Sequence, residues 1–222
     1  MRKMIKGIVN RTWKPIVERY LRKTRVYNFK NISVTIPPGV FHPGFFFSTK
    51  LLISFLEKQD LKNKIFLEMG SGSGLVSIFV AKQNAIVTAC DISPLSVTCT
   101  RENAEKNKVR IPVFQSDLFR EIPTQQFDII AVNPPYYKKH PVSSAENAWY
   151  CGENLEYFHG FFQQVKAFMK PASVIFMVLS DECDLGGIQA IAAKNGLHAE
   201  QVLRERTLWE NGFIFRICIN EK

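Results

Sequence analysis

Asn133, Pro134, Pro135 and Tyr136 stand together in "NPPYYKKHP", residues 133–141, and their types point to one chemistry. Neither proline has a backbone donor, and each holds φ at about −65°. The residue ahead of a proline is pushed out of helical geometry, so Asn133 opens a rigid, extended segment. Its side-chain carbonyl is an acceptor, and the Pro134 carbonyl is a second one. Two fixed acceptors can hold both hydrogens of a planar –NH2 group, with Tyr136 packed on its flat face. The nitrogen of an amide or aryl amine is a poor nucleophile because its lone pair is delocalised. Gripping both N–H bonds aims that lone pair at an electrophile and favours pyramidal geometry as charge develops. The plain alternative is a loop that merely ends a strand.

Three further groups could serve the same site. Glu68-Met69-Gly70-Ser71-Gly72-Ser73-Gly74 follows an apolar run and precedes "LVSIFVAKQN". Glycines there allow a sharp turn and close approach of a ligand to the main chain, and the helix behind them offers free N–H groups. Leu75 occupies the place where a nicotinamide fingerprint needs a third glycine, and no Gly-Lys-Ser/Thr of a phosphate loop is present. Asp91 lies 17 residues beyond Gly74. At a strand tip its carboxylate can accept from both hydroxyls of a ribose, or it can cap the helix begun by Pro94. Asp117, in "QSDLF", either accepts from an adenine amine with Leu118 against the base, or caps a turn.

These residues need a frame, and the hydrophobic rhythm supplies one. "KIFLEMG", "AIVTACD", "IPVFQSD", "FDIIAVN" and "SVIFMVLS" read as buried strands. Between them lie helices from Leu75, from Pro94 to Asn107, and over "NLEYFHGFFQQVKAFMK", which Pro171 helps to end. A last helix, "LGGIQAIAAKNG", stops at Gly196. "HAEQVLRERTL" and "GFIFRICIN" form a terminal antiparallel pair across "WENG". Strands alternating with helices predict an α/β fold, a doubly wound and mostly parallel seven-stranded sheet covered on both faces. Upstream, Ile32 to Ile36 alternates like a short strand. "PPGVFHPGFFF" is a punctuated loop, and Ser48 starts a helix with Leu51, Leu52, Phe55 and Leu56 on its apolar face.

The chain has 222 residues, 46% apolar and 22% charged, ordinary values for a globular protein. No apolar run is long enough to span a bilayer, and Arg2, Lys3, Lys6 and Arg11 interrupt any signal-peptide core. Five scattered cysteines without C-x-x-C argue against a disulfide framework and a four-cysteine zinc site. No metal site is expected, and a reducing, cytoplasmic setting is. Residues 1–30 hold ten basic side chains against Glu18, which accounts for the whole net charge of +9. A basic amphipathic helix is expected from Thr12 to Thr24. Residues 1–40 are read as a basic arm and residues 41–222 as the catalytic body. The arm suits RNA or a ribosome or an anionic membrane surface, or it packs on the body with its charges in water.

Glu-x-Gly-x-Gly-x-Gly, Asp91, Asp117 and NPPY together resemble the class I S-adenosylmethionine-dependent amino methyltransferases. "ENAEKNKVRIPVFQSDLF" and "AENAWYCGENLEYFHGFF" are most similar to the HemK type, in its short archaeal and eukaryotic branch. The resemblance implies S-adenosyl-L-methionine as cofactor, held by Glu68, Gly70, Gly72, Gly74, Asp91, Ile92, Asp117, Leu118 and Asn133. It implies Asn133, Pro134 and Tyr136 as the residues that hold the acceptor, a glutamine side chain of a peptide release factor. It also implies a small zinc-binding partner subunit. An adenine or guanine amine of RNA or DNA presents a similar geometry to NPPY, and a non-catalytic scaffold is the third reading. Residues 1–40 are too short for the helical bundle of bacterial HemK enzymes. Cys151-Gly152 keeps one of two family glycines, and Thr49 is the match to the family's Pro-x-x-x-Thr segment.

Overall fold

The computed structural model describes residues 19–142, 144–207 and 211–220. Two strands, β1 (Arg25–Phe29) and β2 (Ile32–Ile36), form an antiparallel hairpin. The rest is a seven-stranded sheet in the order β5-β4-β3-β6-β7-β9-β8. Its strands are β3 (Ile65–Met69), β4 (Ile86–Asp91), β5 (Val113–Gln115), β6 (Phe127–Val132), β7 (Met169–Ser180), β8 (Leu197–Arg206) and β9 (Asn211–Ile219). β3 to β7 run parallel. β9 lies antiparallel between β7 and β8. The expected fold class is therefore the observed one.

Alternation along the central strands divides the core in two. Phe66, Ile129, Ala131 and Ile214 face one layer, while Leu67, Met69, Ile130, Val132, Phe213 and Phe215 face the other. The first layer is closed by α1 (Phe47–Leu56), α2 (Leu75–Lys82), α3 (Pro94–Lys106) and the hairpin. The second is closed by α4 (Glu156–Val165) and α5 (Leu185–Lys194). In α4, Phe158, Phe161, Phe162 and Val165 recur at helical spacing and are fully buried.

Three sequence expectations change, and a fourth falls mostly outside the described residues. First, Ile32, Val34, Ile36 and Val40 belong to the main core. Residues 25–40, counted with the arm from sequence, are thus built into the body, because the alternating apolar face of β2 must be covered. Second, α4 ends at Val165 and a 3-10 turn follows over Lys166–Phe168. β7 already starts at Met169, and Pro171 sits where its register with β6 shifts, a bulge that needs no ladder donor from it. Third, α1 begins at Phe47 behind Phe46, so Ser48 lies inside the helix and its hydroxyl is used elsewhere. Fourth, most of the expected helix over Thr12–Thr24, and part of the "WENG" turn, lie outside the described residues. Within the described part, Tyr20 packs edge-on to His42 and Phe45, under the Arg25 guanidinium at 3.8 Å. No helix among the described residues is long and apolar enough to cross a membrane.

Candidate active site

The strand order reverses between β3 and β6, where a doubly wound sheet opens a crevice at its carboxyl edge. A cavity of about 490 Å³ occupies that position, within the usual range for a small-molecule site. Its wall includes Glu68, Gly70, Gly72, Asp91, Ile92, Asp117, Leu118, Asn133, Pro134 and Tyr136. Gly74 is the one predicted residue that does not line it.

The glycine loop is held from three sides. The N–H groups of Gly70 and Ser71 both donate to the Cys90 carbonyl at 2.9 Å, which ties the loop to the end of β4. The Gly72 N–H donates to Asp91 Oδ2 at 2.9 Å. On the far side, Thr100 of α3 donates to the Gly72 carbonyl at 3.1 Å, and Asn103 Nδ2 donates to the Ser73 carbonyl at 2.9 Å. Gly70 has φ +77°, and a Cβ added there would meet no protein atom within 4 Å; that space opens on the cavity. Gly74 differs. It has φ +76°, and a Cβ would lie 2.9 Å from Thr100 Cγ2. Its glycine is required by the packing of α2 against α3.

Glu68 is buried at the cavity floor. Its Oε2 accepts from the Ser77 N–H at 2.8 Å and from the Ser77 hydroxyl, so it caps the first turn of α2 across the loop. Burial raises its pKa to about 8 against these bonds, which leaves the carboxyl largely protonated at neutral pH. Asp91 Oδ1 accepts from the Ser93 N–H at 2.9 Å. Burial raises the Asp91 pKa as well, opposed by its bonds to Ser93 and Gly72. Each Asp91 oxygen keeps a lone pair for a ligand hydroxyl. Asp117 is half exposed and pairs with Arg120 at 2.9 Å, beside Leu118 at φ +55°.

At the tip of β6, Asn133 Nδ2 donates to Ser48 Oγ at 3.1 Å, and Asn133 Oδ1 accepts from the Tyr136 hydroxyl at 2.9 Å. The same hydroxyl lies 3.4 Å from the Val178 carbonyl of β7. Tyr136, expected as a flat wall, therefore also anchors the amide. The segment after it is stitched to residues 149–152: Tyr137 N–H to the Trp149 carbonyl at 2.9 Å, and Cys151 N–H to the Tyr137 carbonyl at 2.9 Å. Sequence reasoning missed Ser48, Thr100, Asn103 and the ring cluster Phe41, Phe46 and Trp149. The unusual run of aromatics in "VFHPGFFF" was the one visible signal for the last group.

The residues fit a long nucleoside cofactor. Asp91 presents two oxygens beside a glycine loop with vacant Cβ space, and the cavity runs on from there to Asn133. Comparisons with known proteins agree with this fit. Residues 31–185 match the family described as methyltransferase small domain. A Methanocaldococcus jannaschii protein, provisionally named a protein N5-glutamine methyltransferase, is 33% identical over 161 residues, 70% of this chain and 79% of the relative. The fold is shared with the Thermus thermophilus 16S rRNA N2 G1207 methyltransferase in complex with AdoMet and guanosine. That match has TM-score 0.66 and 18% identity, over 89% of this chain and 50% of that one. It is shared also with the E. cuniculi Mtq2–Trm112 complex, described as methylating the eRF1 translation termination factor. Here the TM-score is 0.64 at 18% identity, over 82% of this chain and 99% of that one. A chain whose family match spans both the glycine loop and NPPY thus belongs to the methyltransferase small domain family and is an S-adenosylmethionine-dependent methyltransferase.

Proposed function

We propose that the methyl acceptor is a planar amide nitrogen, a glutamine side chain of a peptide release factor. The observation that carries this is Asn133 Oδ1, held by the Tyr136 hydroxyl at 2.9 Å on the cavity wall next to the glycine loop. A carbonyl oxygen has two lone pairs, so one is left for a substrate N–H. The Pro134 carbonyl is the second acceptor. Glu68, Gly70, Gly72, Asp91, Ile92, Asp117 and Leu118 hold the cofactor, and Gly74 serves the loop from behind. The cofactor supplies an electrophilic methyl group. Asn133 and Pro134 orient the –NH2 toward it and stabilise the positive charge that grows on nitrogen; the proton leaves after transfer, when the nitrogen is far more acidic. The similarity to a protein named for N5-glutamine methylation and the fold shared with the Mtq2–Trm112 complex support the acceptor class.

The test is transfer of labelled methyl from S-adenosylmethionine to purified release factor. Asn133→Ala should lower the rate by roughly 10²- to 10³-fold, the usual effect of removing one preorganised polar group, with cofactor affinity little changed. Equal activity of wild type and variant would refute the role of Asn133. Label that appears in ribonuclease-sensitive material instead would move the acceptor to an RNA base, a reading that the basic residues 1–30 favour. We infer further that a small partner subunit completes the enzyme, a reading supported by the fold shared with the Mtq2–Trm112 complex; co-purification from cell extract checks this.

A further inference from the structure

Three aromatic rings roof the cavity. Phe41 stacks on Phe46 with centroids 4.5 Å apart and planes at 28°. Trp149 meets Phe46 at 4.9 Å and 62°, and Phe41 at 5.4 Å and 48°. All three line the cavity and are only partly buried. Their anchors place them between the cofactor loop and the acceptor residues. The Phe41 Cβ lies 3.8 Å from where a Cβ on Gly72 would stand. Phe46 precedes α1, two residues before the Ser48 hydroxyl that binds Asn133. The Trp149 carbonyl accepts from Tyr137, four residues beyond Asn133. The sulfonium centre must sit in this same interval, because its methyl group has to reach the nitrogen at Asn133.

A sulfonium is a compact cation, and it becomes a neutral thioether once the methyl group has left. Each carboxyl group of the cavity wall has a protein partner, and the lone pairs that Asp91 keeps are assigned to the ligand hydroxyls. Asp91 accepts from Gly72 and Ser93, Asp117 pairs with Arg120, Glu68 accepts from Ser77, and Glu156 accepts from Asn154. The carbonyl oxygens of Asn133 and Pro134 are taken by the acceptor, and beside them the ring faces offer a further electron-rich surface; a cation is drawn to the face of an aromatic ring within about 6 Å of its centroid. We propose that Phe41, Phe46 and Trp149 form a cation-selective roof that binds the sulfonium of the cofactor and discriminates it from the thioether product. The roof thereby favours release of spent cofactor. The inference rests on the reading that transfer occurs at Asn133, but its test needs no acceptor.

Calorimetric titration of the full chain with S-adenosylmethionine and with S-adenosylhomocysteine reads the ratio of the two dissociation constants. Trp149→Leu should weaken the sulfonium ligand by roughly 3- to 30-fold more than the thioether, the size of one cation–π contact. Phe46→Leu should act in the same direction, and Trp149→Phe should restore most of the ratio. Equal weakening of both ligands, or no change in either, overturns the proposal, since a roof that only packs cannot tell the two apart. If the ratio shifts as expected while release factor takes no label, the roof stands and the substrate reading falls.

Discussion

Asn103 offers the sharpest test of how the site is held together. It is 1% exposed. Its Oδ1 accepts from the Thr35 N–H at 2.7 Å, and its Nδ2 donates to the carbonyls of Thr35 at 3.0 Å and Ser73 at 2.9 Å. One turn further, Asn107 does the same for the N–H and carbonyl of Ser33, at 3.2 and 2.8 Å. Residues four apart on a helix are separated by about 6 Å along its axis, and residues two apart on a strand by about 6.6 Å. The two amides, one in α3 and one at its C-cap, therefore stand in for a neighbouring strand along the outer edge of β2, and Asn103 also ties that edge to the glycine loop. Replacing Asn103 by alanine removes three hydrogen bonds to the backbone, and of the three groups only the Thr35 carbonyl keeps another donor, the Cys99 thiol at 3.3 Å. At about 1 kcal/mol for each bond, and more where the orphaned group is buried, the loss is roughly 3 kcal/mol. A domain stable by about 5–15 kcal/mol stays folded after such a loss. Urea denaturation should show a midpoint lower by roughly 1–3 M, and calorimetry should show cofactor binding weakened by about tenfold as Ser73 loses its tether. Asn107→Ala, less buried and without a bond to the loop, should cost roughly 1 kcal/mol and leave cofactor affinity alone. A stability change below about 0.5 kcal/mol for Asn103→Ala would refute the reasoning.

Three other outcomes follow from the same geometry. Glu68 titrates at about 8 in the folded chain, above its ordinary value of 4.5. The folded state therefore holds a proton that the unfolded chain releases, and stability should fall as pH rises from about 5 through about 8. Glu68→Gln should flatten that slope in urea titrations across the range. Gly74→Ala should destabilise the protein more than Gly70→Ala, because both have positive φ but only the first drives a Cβ against Thr100; thermal unfolding of the two variants compares them directly. Asp91→Ala should weaken cofactor binding by roughly 10- to 100-fold, as expected for losing charged acceptors of ligand hydroxyls. Unchanged affinity by calorimetry would remove Asp91 from the site.

Much of this architecture was legible in the chain. Apolar runs such as those around Leu67 and Ile130 could only be strands buried on both faces, and their alternation with helices implied a parallel sheet with its crevice at the carboxyl ends. The placement of Asp91, Asn133 and the glycine loop at strand ends was readable because local backbone chemistry marks those ends. Ser93 and Pro94 announced α3, and the structure begins that helix at Pro94 with Ser93 as its cap. Pro171 misled, since a bulge absorbs a proline as readily as a helix end does. The glycine at 74 also answers to Thr100 on another helix, a contact that no motif contains.

What the sequence alone determined was the kind of fold and the identity of groups that act through their own backbone or their place at a strand tip. Tertiary structure decided how those groups are aimed. Ser48 reaches Asn133 across 85 residues of chain, and Asn103 reaches Thr35 across 68. The aromatic roof joins a loop before α1 to one beyond β6. A hydrogen bond or ring contact exists only within a few ångströms, and distances between remote segments are set by how helices and sheet pack, not by spacing along the chain.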